Sequence, residues 1–79
     1  MEQEEVYTVF SRDDCPWCDR VKALLEMKKV KYEVINLSND KNSLDWFRDQ
    51  GFRTVPQVYK GGKWIGGYEK TKEFLDNAN

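Results

Sequence analysis

Two cysteines three positions apart are the residues of this sequence best suited to chemistry. Cys15 and Cys18 lie in the segment DDCPWCDR, with a proline and a tryptophan between them, and no other cysteine occurs in the chain. A C-x-x-C pair can be a structural disulfide, part of a metal site or a reversible redox couple. The supply of metal ligands and the residues that flank the pair distinguish these three functions.

A zinc site or a purely structural disulfide fits the pair less well than a redox couple. A tetrahedral zinc site takes four nitrogen or sulfur ligands, whereas the sequence has two cysteines and no histidine. Zinc would need a second chain or carboxylate ligands. A disulfide between Cys15 and Cys18 would close a loop of about four residues, which constrains the unfolded chain very little. We therefore expect a redox couple and no bound metal.

A redox couple at the start of a helix has a direct chemical rationale. Pro16 suits the first turn of a helix, so Cys15 would lie at the helix N-terminus. Unpaired N–H groups and the helix dipole stabilise a thiolate at that position. Cys18 would lie one turn further along and be more enclosed. We predict that Cys15 is the attacking thiolate and that Cys18 resolves the mixed disulfide.

Acidic residues beside the pair act against this activation. Asp13 and Asp14 precede Cys15 directly, and nearby carboxylates disfavour a thiolate, whereas the positive charge of Arg12 favours it. We interpret the two acids as part of a solvated loop. The alternative is that they reduce the activation of Cys15 or select a basic partner.

The rest of the sequence predicts one α/β domain, residues 1–79, in which strands and helices position the pair. The first strand-helix-strand unit should be parallel with a right-handed crossover. A turn at Gly61 and Gly62 should make the last two strands antiparallel. The result is a four-stranded mixed sheet flanked by three helices. The predicted elements are strands at 6–10, 30–37, 55–59 and 63–67, and helices from Pro16 to about Lys29, at 41–50 and at 68–79.

Helical spacing also predicts which side chains face the core. On the first helix the apolar stripe comprises Trp17, Val21, Leu24 and Leu25. On the last helix the shared face comprises Thr71, Phe74, Leu75 and Ala78. Gly51 should end the middle helix as a C-cap.

Charge and hydropathy exclude several classes of partner. Lys and Arg total 13 and Asp and Glu total 14, a net charge of −1, which argues against a nucleic-acid partner. No apolar run reaches the roughly 18 residues of a membrane span. The N-terminal MEQEE lacks the pattern of a signal peptide. We therefore expect a cytoplasmic protein, and structural disulfides are rare in that compartment.

Three motifs in order along the chain resemble a known family. They are SRDDCPWC from Ser11, TVPQVY from Thr54 and WIGGYE from Trp64. Together they resemble the dithiol glutaredoxins of the thioredoxin fold, in their short bacterial or phage form, over nearly the whole chain. The resemblance implies a thioredoxin-like α/β fold and a monomeric thiol-disulfide oxidoreductase. It also implies no bound cofactor, glutathione as the reducing co-substrate, and disulfide-containing protein substrates, with ribonucleotide reductase as a candidate.

The resemblance also implies roles for individual residues. In the family, the residues that match Cys15 and Cys18 are the nucleophile and the resolving thiol. The basic residue that matches Arg12 holds a carboxylate of glutathione, and the proline that matches Pro56 follows a cis bond. The backbone that matches Val55 pairs with glutathione as an added strand would. The predicted glutathione-binding residues are Arg12, Trp17, Thr54, Val55, Pro56, Gly67, Tyr68 and Glu69.

The sequence departs from the family pattern at three of these positions. Trp17 stands where tyrosine is commoner, Tyr68 replaces a small residue or cysteine, and Glu69 replaces a shorter side chain.

Three alternative functions remain open beside the one that the resemblance implies. They are a redoxin reduced by a thioredoxin reductase, an iron–sulfur carrier that holds a cluster between two chains through Cys15 and glutathione, and a binding module without enzymatic activity.

Overall fold

A computed structural model of the chain describes residues 6–77. Within that range it contains four strands and three helices in the predicted order, so the prediction of fold class is confirmed. The elements are β1 (Tyr7–Ser11), α1 (Pro16–Met27), β2 (Tyr32–Asn36), α2 (Lys41–Asp49), β3 (Gln57–Lys60), β4 (Lys63–Gly66) and α3 (Tyr68–Asn77).

The four strands form one mixed sheet in the order β2-β1-β3-β4. β1 runs parallel to β2, and β3 runs antiparallel to β4, as the sequence predicts. β1 also runs antiparallel to β3. In the β1–β3 pair, Phe10 lies opposite Gln57. The chain that follows β1 and the chain that precedes β3 therefore leave the sheet at the same end, and this places the cysteine loop beside the segment that contains Pro56.

The strand boundaries differ from the prediction by one or two residues. β1 includes Ser11, because Ser11 pairs with Asn36 of β2. β2 is shorter at its start than predicted, since the N–H of Val30 bonds to the carbonyl of Leu25 (3.3 Å) and not to a strand. β3 begins at Gln57 and not at position 55, because Pro56 has no N–H with which to join a sheet.

The sheet separates a larger core from a smaller one. Successive residues of a strand point to opposite faces, so Val9 lies in the larger core and Phe10 in the smaller one. The larger core joins β1 and β3 to α1 and α3, and the smaller core joins β1 to α2. The buried residues of the larger core are Tyr7, Val9, Val21, Leu24, Leu25, Val58 and Leu75, and those of the smaller core are Phe10, Leu37 and Phe47.

The predicted core faces of the helices are correct in most positions and wrong in one. Thr71 and Leu75 are buried and Phe74 is half-buried, while Ala78 lies outside the described residues. Trp17, which helical spacing placed in the core stripe of α1, is 48% exposed. Trp17 lies in the first turn of α1, where its ring contacts the ring of Tyr68 at the start of α3.

α2 has the glycine that its sequence predicts at its end, and an N-cap residue in the SND segment that precedes it. The N-cap residue Asp40 accepts a hydrogen bond from the N–H of Ser43 (3.2 Å), and this bond lowers the pKa of the Asp40 carboxyl. The helix is followed by Gly51, whose φ of +91° is the left-handed conformation that favours glycine. These two caps fix where α2 begins and ends.

Candidate active site

Cys15 is the N-cap residue of α1. Its backbone is extended (φ −125°, ψ 96°), and Pro16 occupies the first position of the helix, as predicted. The Sγ of Cys15 accepts a hydrogen bond from the N–H of Cys18 (3.2 Å). The sulfur thus takes the place of the oxygen acceptor that usually caps a helix, and the first-turn N–H of α1 points at it.

The structure shows the oxidised form of the pair, with Cys15 and Cys18 joined by a disulfide. Their Cα atoms are 5.2 Å apart. Cys15 is 8% exposed and Cys18 is 1% exposed. An incoming thiolate or disulfide therefore reaches Cys15 first, which agrees with the order of attack that we predict from the sequence.

The cysteine loop is held by hydrogen bonds to the end of β2. The carboxylate of Asp13 accepts a hydrogen bond from the side-chain amide of Asn36 (3.0 Å), and the Asp13 N–H donates to the hydroxyl of Ser38 (3.0 Å). The N–H of Ser38 in turn donates to the Asn36 carbonyl oxygen (2.9 Å). The carboxylate of Asp13 is therefore engaged by an amide of β2. Sequence reasoning missed Asn36 and Ser38 because they lie more than 20 positions from the loop.

Seven of the eight predicted glutathione-binding residues line one groove of about 370 Å³, which we call the glutathione groove. They come from the start of α1, the segment before β3 and the start of α3. Gln57 and Lys70 complete the lining. The seven residues are Trp17, Thr54, Val55, Pro56, Gly67, Tyr68 and Glu69.

Arg12 is the one predicted residue that does not line this groove. It borders a second groove of about 470 Å³, which shares Thr54 and Val55 with the first. The two grooves meet at Val55, whose carbonyl oxygen is 4.0 Å from the Sγ of Cys15. The Val55–Pro56 bond is cis, as the resemblance implied.

The glycines before α3 allow its first turn to approach the segment before β3. A Cβ atom on Gly67 would lie 3.4 Å from the carbonyl oxygen of Pro56, and one on Gly66 would lie 2.7 Å from the Cβ of Lys70. The carbonyl of Gly67 accepts the first helical hydrogen bond of α3, from Thr71 (3.0 Å). The N-terminus of α3 therefore faces the glutathione groove.

Two aromatic rings meet across the glutathione groove. The ring centroids of Trp17 and Tyr68 are 5.5 Å apart. The guanidinium of Arg20 lies over the Trp17 ring, 4.5 Å from its centroid. Two of the three departures from the family pattern, Trp17 and Tyr68, are therefore in contact with each other.

Gln57 is a residue of the groove that sequence reasoning missed. It is 8% exposed, and its side-chain amide donates to the carbonyl oxygen (3.2 Å) and the hydroxyl (3.4 Å) of Thr54. Its oxygen accepts a hydrogen bond from the indole N–H of Trp64 (2.9 Å). The sequence feature that could have identified Gln57 is a polar side chain in a predicted strand, directly after Pro56. Gln57 ties the segment that carries Val55 to the edge strand β4.

The comparison with protein families decides the family of the chain. The glutaredoxin family model matches residues 7–65, most of the chain. The chain belongs to the glutaredoxin family. The recognition from the three sequence motifs is therefore confirmed.

Individual glutaredoxins show how close the similarity is. A glutaredoxin of Ricinus communis is 40% identical over 70 residues, which cover 80% of this chain and 66% of that protein. The chain thus spans less than two thirds of that relative, and 64% of two others that it matches. A buckwheat glutaredoxin solved as a glutathione complex has a TM-score of 0.77 and 32% identity, with 92% of this chain and 70% of that chain covered. NrdH-redoxin from Escherichia coli, described as a glutaredoxin-like protein with a thioredoxin-like activity profile, has a TM-score of 0.80 and 26% identity over 94% and 95% of the two chains.

Residues 6–77 of this glutaredoxin contain no group of three or more His, Cys, Asp or Glu side chains arranged to hold a metal ion. In the same range, no helix combines the length and the apolar character that crossing a membrane requires.

Replacing Gln57 by alanine should loosen the segment that presents Val55 to a substrate. We expect a loss of about 1–3 kcal/mol in the free energy of unfolding, because Thr54 and Trp64 lose a buried hydrogen-bond partner. We also expect the KM for a glutathione mixed disulfide to rise roughly tenfold, the effect of about 1.4 kcal/mol. Chemical denaturation and steady-state kinetics measure the two effects. Trp64→Phe removes the indole N–H and keeps a ring against Phe52, so it should show a smaller loss of stability and a smaller rise in KM. Equal kinetics in Gln57→Ala and the native chain would contradict the role of Gln57 in holding the Val55 segment.

Proposed function

We propose that this glutaredoxin is a glutathione-dependent thiol-disulfide oxidoreductase. The observation that carries the proposal is the position of the Cys15–Cys18 disulfide, at the start of α1 and beside the glutathione groove. The similarity to a buckwheat glutaredoxin solved with glutathione supports it.

The reaction consists of two thiol-disulfide exchanges. In the first, the Cys15 thiolate attacks one sulfur of a substrate disulfide, a Cys15–substrate bond forms, and the other substrate sulfur leaves as a thiolate that takes a proton. In the second, Cys18, after it loses its proton, attacks the Sγ of Cys15 and releases the remaining substrate thiol. The Cys15–Cys18 disulfide of the present structure is the product of this second step.

Glutathione returns the pair to the dithiol. One glutathione thiolate attacks Cys15 and frees Cys18, and a second glutathione attacks the sulfur of the first, so that glutathione disulfide leaves and Cys15 is reduced. The substrate gains two electrons in each cycle and two glutathione molecules supply them.

The charges of the site match those of glutathione, a tripeptide with two carboxylates and one ammonium. We place its extended backbone against Val55, as an added strand. The N-terminus of α3 at Gly67 suits the γ-glutamyl carboxylate, since unpaired N–H groups point at it. Glu69 in the first turn suits the ammonium, and Arg12 suits the carboxylate at the other end.

Reduction by a thioredoxin reductase is the second candidate function. Two observations favour it: the similarity to NrdH-redoxin, and the contact between Trp17 and Tyr68, which narrows the end of the groove assigned to the γ-glutamyl group. The proposal includes disulfide-containing protein substrates, with ribonucleotide reductase as a candidate. It also includes a monomeric state and a cytoplasmic location, which rest on the family resemblance and on composition.

A direct comparison of electron donors tests the proposal. We expect the reduction of a glutathione mixed disulfide to proceed with glutathione, glutathione reductase and NADPH at a rate well above that with thioredoxin reductase and NADPH, because Glu69 lines the glutathione groove and Arg12 lines the groove that adjoins it at Val55. NADPH consumption at 340 nm measures both. Faster turnover with thioredoxin reductase would assign the chain to the second candidate function. Inactivity with both electron donors, in a protein shown by thiol titration to be reduced, would exclude both candidate functions.

A further inference from the structure

A third groove, which we call the lysine groove, lies between the edge strand β4 and helix α3. Its volume is about 800 Å³, larger than the volumes of the two grooves that meet at Val55. Trp64 and Phe74 give it aromatic surface. The charged residues that line it, among those that the structure describes, are Lys60, Lys63, Lys70 and Glu73.

The positive charge of the lysine groove is not neutralised by the described part of the chain. Lys60, Lys63 and Lys70 form no ion pair there, whereas other lysines of the same part pair with carboxylates. The ammonium of Lys60 lies over the rings of Tyr7 and Phe74, 5.8 and 5.5 Å from their centroids. These contacts orient Lys60 and leave its charge without a counter-ion. The groove therefore suits a ligand that carries carboxylates.

β4 adds a backbone edge to this charged surface. It is the outermost strand of the sheet beside β3, so the N–H and C=O groups on its outer side can pair with an added strand. Lys63 lies opposite Lys60 and therefore points to the α3 side of the sheet. Trp64 lies opposite Tyr59 and points to the other side, where its ring centroid is 5.7 Å from that of Phe52.

The two sides of β4 specify the side chains of an added strand. On the α3 side they would lie beside Lys63 and Lys70 and should be carboxylates. At the alternate positions they would lie beside Trp64, which is 53% exposed, and should be apolar. A second copy of β4 fits poorly, because two-fold pairing would bring lysines beside lysines. A nucleic acid fits poorly as well, since it has no peptide groups for the strand edge and the net charge of the chain is −1.

We propose that the lysine groove and the edge of β4 bind an extended acidic segment of a partner protein, in which acidic and apolar residues alternate. The segment adds to β4 as a strand, with carboxylates on Lys63 and Lys70 and apolar side chains on Trp64. Lys70 also lines the glutathione groove, so the docked partner lies beside the active site. The docking site does not use Cys15 and is therefore independent of the proposed function.

Three peptides of equal length test this inference by NMR titration of the ¹⁵N-labelled native chain. The first alternates glutamate and valine, the second has glutamine in place of each glutamate, and the third has the composition of the first with its glutamates consecutive. We expect the first peptide to shift the amide signals of Lys63, Trp64 and Lys70. Its Kd should be about tenfold lower than that of the second, since exposed ion pairs contribute roughly twofold to fivefold each. The third should bind roughly threefold more weakly than the first, because its carboxylates point to both sides of the sheet.

Variants of Lys63 locate the effect. Lys63→Ala should raise the Kd of the first peptide about threefold, Lys63→Glu should raise it further, and Lys63→Arg should keep most of the affinity. Lys41→Ala makes the same change in net charge on α2 and should bind as the native chain does. Raising the salt concentration from about 0.02 to 0.5 M should remove most of the difference between the first two peptides. Reduction of a glutathione mixed disulfide should proceed at the native rate in all four variants, which also shows that they are folded.

Several outcomes would overturn the inference. They are the absence of shifts at β4 up to about 5 mM of the first peptide, equal Kd values for the three peptides, and equal Kd values for Lys63→Ala and Lys41→Ala. Self-association of the native chain that Lys63→Glu abolishes would assign the groove to a second copy instead. Binding that appears only after Glu2, Glu4 and Glu5 are changed to glutamine would assign it to the N-terminal residues of the chain. Failure of the native chain to reduce a glutathione mixed disulfide would contradict only the proposed function.

Discussion

Cys15→Ser is expected to lower the rate of disulfide reduction at least about a thousandfold, as loss of a catalytic nucleophile does. A serine hydroxyl at this position neither ionises near neutral pH nor exchanges with a disulfide. Initial rates with a glutathione mixed disulfide and with a peptide disulfide measure the effect. Reduction by Cys15→Ser at the native rate would contradict the mechanism and would favour a binding module without enzymatic activity.

Cys18→Ser is the matched control because it removes the resolving thiol and keeps Cys15. This variant should still exchange with a glutathione mixed disulfide, since a second glutathione can release the first from Cys15. It should accumulate a mixed disulfide with a peptide substrate, because no internal thiol captures the intermediate. Mass spectrometry of the trapped species distinguishes the two variants. A trapped species on Cys18 in place of Cys15 would reverse the assigned roles.

The second large effect concerns the ionisation of Cys15 in the reduced protein. We expect its pKa to fall well below the value of about 8.5 for a free cysteine, within the range of about 3.5–7.5 that thiols at helix N-termini show. The physical causes are the position at the N-terminus of α1 and the N–H of Cys18, which is 3.2 Å from the sulfur. Thiolate absorbance against pH, in the Cys18→Ser variant, reports Cys15 alone.

Stability of the reduced chain gives an independent check on the same pKa. A thiol whose pKa is lower in the folded state contributes stability that is fully present above the unfolded-state pKa and is lost as the pH falls through the folded-state pKa. Reduced Cys18→Ser should therefore gain thermal stability, relative to reduced Cys15→Ser, as the pH rises to about 8.5. A Cys15 titration midpoint at the free-cysteine value would show that the helix start does not activate this thiol, and the proposed mechanism would fail.

Much of the local structure around Cys15 was predictable because it depends on neighbouring residues. Pro16 fixes the start of α1, and Gly51 ends the next helix with a positive φ. Alternation and helical spacing gave the order of the elements, although β2 and β3 are shorter than predicted. Each of these features results from steric and hydrogen-bond preferences within a few residues.

Trp17 shows where local periodicity fails. Helical spacing shows which side chains share a face of α1, but not how far along the helix other elements cover that face. The first turn lies beside the start of α3, so Trp17 contacts Tyr68 and remains half exposed. Gln57 and Asn36 were missed for a related reason. Gln57 bonds to Trp64, which lies on another strand, and Asn36 bonds to Asp13, which is distant in sequence.

The sequence by itself determined the redox pair, its place at a helix start, the order of the elements and the family. Only the tertiary structure decided which distant residues converge on the pair. Because β1 pairs with both β2 and β3, the cysteine loop meets Asn36 on one side and the segment before β3 on the other. The same strand order places Arg12 in one groove with Arg48 and Arg53, more than 30 positions further along the chain. Such convergence depends on long-range strand pairing and helix packing, which no local sequence pattern encodes.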